Sequence, residues 1–261
     1  MKKLAPFLLL IALFVGAAWY FFTKEPDQVH ELPPPHTAPS IPAAEEQVEP
    51  PPPEEEIKGV IEPELEIAPP PLPLLYASDP EITQALANIV GADPLAQYLV
   101  KGEAISRIVV MLDSLTSRQV PAQINPIKPA EDKFIVDTEE DSMVMSEQNF
   151  ARYDGYVALM QNADTGALVA LYHRYYPLFQ QAWEENGGEG SFNDRLLEVI
   201  DHLLETPDVP GPVYLTKPEA VYVFEDPELE AMTAGQKILL RMGSANASLV
   251  KEKLAEARAE L

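Results

Sequence analysis

The sequence predicts a mainly α-helical protein in three parts: an N-terminal transmembrane helix over residues 1–23, a disordered proline-rich linker over 24–75, and a single helical domain over 76–261 that carries a small β-hairpin. Three observations predict it. Leu4–Phe22 is a run of 19 residues without a charge. The next segment holds 15 prolines and 12 acidic residues, a composition that cannot bury a core. From Tyr76 onward, apolar residues recur at helical spacing between glycine and proline breaks.

At a rise of about 1.5 Å per residue, the first run is long enough to cross roughly 30 Å of hydrocarbon. Pro6 sits in the first turn, where a missing amide costs little, and Trp19, Tyr20, Phe21 and Phe22 supply an interfacial aromatic belt. A cleaved signal peptide is the competing reading, because Val15-Gly16-Ala17 resembles a small-residue cleavage site. Cleavage would expose the aromatic residues as an apolar N-terminus, so retention is expected. Lys2 and Lys3 precede the span and only Lys24 closely follows it. The positive-inside bias then puts the N-terminus in the cytoplasm and the rest outside: a single-pass inner-membrane protein with a periplasmic domain in a double-membraned bacterium.

In the linker, Pro33-Pro34-Pro35, Pro50–Pro53 and Pro69-Pro70-Pro71 alternate with acidic runs such as Glu54-Glu55-Glu56. Proline removes amide donors and favours polyproline II, and like charges extend the chain, so the segment could reach on the order of 160 Å fully extended and about 40 Å as a coil. A spacer is the simpler reading. A ligand for aromatic-grooved modules is the alternative, and His30 and His36 are assigned no role.

Within the domain, Ser78-Asp79-Pro80-Glu81 reads as a capping box opening a helix with Ile82, Leu86, Ile89 and Val90 on one face, closed by Gly91. Asp93-Pro94 starts a second helix, and Glu103–Ser117 carries the stripe of a third. Residues 119–141 combine three prolines with Phe134-Ile135-Val136 and Glu139-Glu140-Asp141, which predicts an irregular excursion with at most one short strand. Helix resumes near Ser146. Asp164 caps a long helix whose Leu168, Tyr172, Tyr175, Phe179 and Trp183 form an aromatic face, with a bend expected at Pro177. Ser191 caps the next helix, Val213–Leu215 and Ala220–Phe224 form the hairpin, and Asp226, Thr233 and Ser244 cap the last three helical segments.

Charge and composition exclude several functions. The net charge is −24, divided as +2 before the span, −10 in the linker and −16 beyond it. A polyanion is repelled by phosphate backbones, so nucleic acid is not an expected partner. Cysteine is absent, which removes disulfides, thiolate nucleophiles and cysteine metal sites. No phosphate-cradling glycine loop, His-Glu-x-x-His or Gly-x-Ser-x-Gly occurs, and no cofactor or metal is expected.

Tyr176-Pro177-Leu178 with Gln180-Gln181-Ala182, the run Phe192-Asn193-Asp194-Arg195 through Val199-Ile200-Asp201-His202-Leu203-Leu204, and Asp226-Pro227-Glu228-Leu229-Glu230 followed by Gly235-Gln236-Lys237 and Leu240-Arg241-Met242-Gly243 resemble the domain-of-unknown-function family 3014. The resemblance extends over nearly all of 76–261. It implies a Gram-negative bacterial membrane anchor, a variable proline-rich linker and a helical domain, and it supplies no catalytic residues. Asp113-Ser114-Leu115 departs from the family's Asp-Asn-Leu.

The candidate binding residues are Asn149, Arg152, Asn193, Asp194, Arg195, His202, Asp226, Lys237 and Arg241, gathered by folding into one polar cleft. The plainer alternative is that Arg152, Arg195 and Arg241 pair with Asp194, Asp226 and Glu228 to fix helix ends. Asp201 and His202 are neighbours on a helix and point about 100° apart, which argues against a local acid–base dyad. The expected role is an interaction or scaffold module of the cell envelope, bound to an unknown envelope protein or polymer, with self-association possible. The alternative is an envelope hydrolase acting on an extracytoplasmic polymer.

Overall fold

The computed structural model describes residues 70–261 except 122–123, 131–132, 140–141 and 220. The expected anchor, and the expected linker up to residue 69, lie outside the described residues. Among the described residues no helix is long and apolar enough to cross a membrane. Leu72 and Leu75 already pack against the helical core, a few residues before the boundary expected at 76.

Three short helices come first: α1 (Asp79–Val90), α2 (Ala92–Tyr98) and α3 (Ala104–Ser114). The stripe read from the sequence is the buried one, with Ile82 and Leu86 of α1 and Ile105, Ile108, Val109 and Leu112 of α3 all almost fully enclosed. The expected capping box at Ser78 does not form. Ser78 itself has helical backbone angles, and its hydroxyl donates to the Leu75 carbonyl at 2.7 Å. Asp79 turns to the neighbouring helix and accepts the amides of Glu103 and Ala104 at 2.6 and 2.8 Å. The need is at α3: its N-cap residue, Glu103, is left-handed at φ +54° and makes no cap bond of its own. Replacing Asp79 with alanine should therefore cost about 1–2 kcal/mol. Hydrogen exchange should report the loss at the Glu103 and Ala104 amides, at the start of α3 rather than of α1.

A 3-10 segment, Glu147–Tyr153, leads into α4 (Asp154–Asn162), followed by α5 (Thr165–Glu185) and α6 (Phe192–Leu204). Asp164 caps α5 by accepting the Ala167 amide at 3.1 Å, and Ser191 caps α6 by accepting that of Asp194 at 3.4 Å. Helix α5 continues through Pro177, which is exposed. Its aromatic face is core: Phe179 stacks on Phe192 at 5.9 Å between centroids, and Trp183 meets the same ring at 6.0 Å. Glu81 of α1 accepts the Tyr175 hydroxyl and pairs with Arg174 at 3.4 Å, holding its carboxyl pKa down and joining α1 to α5.

The chain ends in α7 (Pro227–Ala231), α8 (Ala234–Arg241) and α9 (Gly243–Arg258). Thr233 and Gln236 make the reciprocal capping box that starts α8. Ser244 does not cap α9 as expected. Only Met242 separates α8 from α9, it has helical angles, and no extended N-cap residue exists between them. The Ser244 hydroxyl donates instead to Asp208 at 2.6 Å.

The expected hairpin is half of a larger sheet. Strands β1 (Val136–Glu139), β2 (Ser142–Met145), β3 (Tyr214–Thr216) and β4 (Val223–Phe224) form one antiparallel sheet in the order β1-β2-β3-β4. The segment 119–141, expected to be irregular with at most one short strand, supplies β1, and β2 follows directly after it, joined to β3 through the pairs Met143↔Leu215 and Val144↔Tyr214. The inward face of the sheet closes a second, smaller core of Met145, Val213, Leu215 and Phe224 against Leu240 of α8.

Candidate functional site

The nine residues expected to form one cleft divide between two sets of partners. On the α3–α6 face, Arg195 is a clamp. Its Nε donates to Asp113 Oδ1 at 2.8 Å, its Nη2 donates to the Asp113 carbonyl at 3.1 Å and to Thr116 Oγ1 at 2.5 Å, and its Nη1 pairs with Glu198 at 2.8 Å. Burial alone would lower the guanidinium pKa, but the bonds to Glu198 and Asp113 outweigh it and the pKa ends raised. The partners of Arg195 are therefore Asp113 and Glu198, not the Asp194, Asp226 and Glu228 of the helix-end expectation. Asp113 keeps this role despite the Ser114 that follows it. Replacing Arg195 with alanine should cost about 2 kcal/mol of stability, because Asp113 and Thr116 lose a shared forked donor. Lysine, a point charge without the fork, should restore less than half of that in denaturant titrations.

Asn193 accepts the Tyr172 hydroxyl at 3.2 Å, and His202 Nε2 lies 2.9 Å from Thr233 Oγ1, tying α6 to the cap of α8. Asp194 is exposed and shares with His202 a shallow open shelf of about 770 Å³ beside Glu198, Asp201 and Glu205. Asp201 and His202 are engaged separately, as their helical spacing requires: Asp201 receives a forked pair from Arg258 at 2.5 and 3.0 Å while His202 meets Thr233.

The second set braces the sheet against the helices. Asn149, fully buried, donates to the carbonyls of Ile135 at 2.7 Å and Ser146 at 2.8 Å and accepts the Ile135 amide at 2.9 Å. Lys237 pairs with Glu230, whose other oxygen accepts the Phe224 amide at 2.9 Å, so α7, α8 and β4 are joined through one carboxylate. Arg241 lies over the Phe224 ring at 5.1 Å, and burial lowers its pKa to about 10 against the opposing pull of Tyr153 and Glu230. Arg152 adds a second positive charge near Tyr153, whose hydroxyl pKa burial raises. Asp226 is exposed and caps α7 by accepting the Glu228 amide at 2.8 Å. Asn149, Lys237, Arg241 and Asp226 each have a structural task.

A more spacious concavity than the shelf beside His202 lies elsewhere. A groove of about 1000 Å³ runs between the first turns of α9, the 3-10 segment, strands β1 and β2, and the loop 206–213. Its lining mixes apolar side chains, among them Val144, Phe150, Val213 and Leu240, with the carboxylates of Asp137, Glu147, Asp154 and Asp208. Its walls are cross-braced. Asp208 accepts from Ser244 at 2.6 Å, Asn246 donates to Asp154 and to the Phe150 carbonyl at 3.2 Å each, and Lys251 donates to the Thr206 carbonyl. None of the nine expected residues lines it. Segments 137–154, 206–213 and 239–251 meet only in the folded chain, so no local spacing could have marked the groove.

Among the described residues no group of three or more His, Asp or Glu side chains is arranged to hold a metal ion. No curated protein and no solved structure matches the chain. A family model described as a protein of unknown function, DUF3014, matches residues 104–258, more than half of the chain and narrower than the resemblance read from the sequence. The match runs from the first residue of α3 to the last of α9. It leaves out α1 and α2, although Leu86 and Leu95 of those helices are buried in the same core. With its family-matched region spanning both cores and the groove between them, the chain belongs to the DUF3014 family.

Proposed function

We propose that the protein is a docking module of the cell envelope: residues 4–22 hold it in the inner membrane, the acidic linker spaces it from the bilayer, and the periplasmic domain captures a partner protein in the groove beside α9. One observation carries the reading. The groove is large, its α9 wall is braced by hydrogen bonds to the loop 206–213 and to the 3-10 segment and α4, and it is lined by apolar and charged groups together, the mixture that recognition surfaces use.

The experiment is site-specific photocrosslinking in cells with the full chain. A photoreactive residue at Gln148 or Ser248, both exposed in the groove, should give a discrete adduct that the same residue at Glu184, near the C-terminus of α5, does not. Equal adduct patterns from all three positions would overturn the docking reading. A reporter fused after Leu261 tests the placement separately: activity outside the cytoplasm is expected, and cytosolic activity would remove the envelope from the proposal.

A further inference from the structure

We infer that the occupant of the groove is a basic segment of a partner protein, one carrying lysine or arginine side chains. The inference rests on the docking reading and adds the chemistry of the ligand. Four carboxylates, Asp137, Glu147, Asp154 and Asp208, face the groove against one ammonium, Lys251, among its described lining. Two of the four are committed locally: Asp208 and Asp154 bind Ser244 and Asn246 at the start of α9, where they offset the partial positive charge of about half a unit at that helix end. Lys251 is held by the Thr206 carbonyl. Asp137 and Glu147 are exposed and leave the rim negative.

Beside them the lining is apolar, with Val144, Phe150 and Val213. Lysine and arginine match both features at once, since their aliphatic stems cover apolar surface while their charged heads reach outward to carboxylates. The same charge disfavours the other candidates. The chain's own linker carries 12 acidic and 2 basic residues over 24–75 and is repelled, as is a second copy of a chain with net charge −24 presenting the same rim.

The probe is a fluorescein-labelled octapeptide of alternating lysine and serine, with its glutamate–serine counterpart as control, titrated by anisotropy onto the full chain in nonionic detergent. The lysine peptide is expected to bind, to weaken as salt rises, and to bind about fivefold more weakly to the D137N/E147Q variant, in keeping with exposed ion pairs of roughly 0.5 kcal/mol each. Neutralising as many carboxylates by E184Q/E185Q, on the helix that meets the opposite end of α6, should leave binding unchanged. Absence of binding, equal binding of the glutamate peptide, or equal effects of the two variant pairs would overturn the inference. Crosslinking from Gln148 separates the two ideas. Adducts that persist undiminished in D137N/E147Q would leave docking standing and sink the basic ligand, whereas loss of all groove-specific adducts from the unmodified rim would sink docking itself.

Discussion

Replacing Asn149 with alanine is expected to lower stability by about 2–3 kcal/mol, measured as a shift in the denaturant midpoint at unchanged slope. The side chain is fully enclosed, and its amide satisfies both backbone groups of Ile135 and the Ser146 carbonyl. In effect Asn149 extends the ladder at the start of β1, where the Ser146 amide just after β2 already donates to the Ile135 carbonyl at 3.2 Å and only the Ile135 amide depends on the Asn149 side chain. Alanine leaves a small void and the Ile135 amide without its acceptor, while the Ile135 and Ser146 carbonyls keep only the backbone amides of Ser146 and Asn149 at 3.2 and 3.1 Å, and the first consequence should be loss of amide protection at Ile135.

Aspartate at the same position separates hydrogen bonding from packing, because it keeps the volume and removes the donor. Its second oxygen would face the Ile135 and Ser146 carbonyls, which repel a carboxylate and accept from a protonated one. The folded-state pKa of that carboxyl is then raised above its unfolded value of about 3.9. A group raised in this way contributes its full stability below the unfolded pKa and loses it as pH rises through the folded value. Asn149→Asp should accordingly be the more harmful substitution at pH 7 and recover toward the wild type near pH 4, while the alanine variant shows the same deficit at both. A pH-independent deficit for aspartate would mean that water replaces the amide.

What the sequence revealed and what it hid follow from the range of the forces involved. Helices were legible because 3.6-residue periodicity is local: the buried faces of α1, α3, α5 and α6 are the stripes of Ile82 and Leu86, Ile105 and Leu112, Tyr172 and Trp183, and Leu196 and Ile200. Caps made within three residues, at Asp164, Ser191, Asp226 and Thr233, were legible for the same reason. Caps made across the fold were not. Asp79 reaches α3 from another helix, and Ser244 serves Asp208 because the one-residue junction at Met242 leaves it no cap geometry. Strand β2 escaped, and β1 was marked only as one short strand, because four-residue strands hold too little alternation to read and the other partner of β2, β3, lies some seventy residues away. The candidate residues shared this fate. Among types suited to binding, Asn149 bonds the backbone flanking β1 and β2, and Lys237 and Arg241 tie β4 to α7 and α8, whereas the groove draws on ordinary valines, serines and aspartates.

The junction of α8 and α9 yields the second large effect, Gly243→Ala, expected to cost about 3 kcal/mol or more. Gly243 has φ +80°, and a methyl group there would stand 2.8 Å from two atoms of the Phe150 ring. The left-handed backbone alone costs a non-glycine residue roughly 1 kcal/mol. The remainder comes from displacing Phe150, whose own segment is fixed one residue earlier by Asn149 and at its carbonyl by the bond from Asn246 of α9. Gly187 isolates the backbone contribution. It has nearly the same angle, φ +83°, but a methyl group on it meets no atom within 4 Å, so Gly187→Ala should cost only about 1 kcal/mol. The difference between the two glycines then belongs to the ring, and trimming the ring should return it: in a double-mutant cycle Phe150→Leu should be less costly, or even favourable, in the Gly243→Ala background. Equal costs at the two glycines, or an additive cycle, would show that the ring moves aside freely. Because Gly243 and Phe150 both line the groove, a ring that cannot move aside also means that the width of the groove is set by the same contact that starts α9. Gly243→Ala should therefore diminish crosslinking from Gln148 under conditions where the domain is still folded.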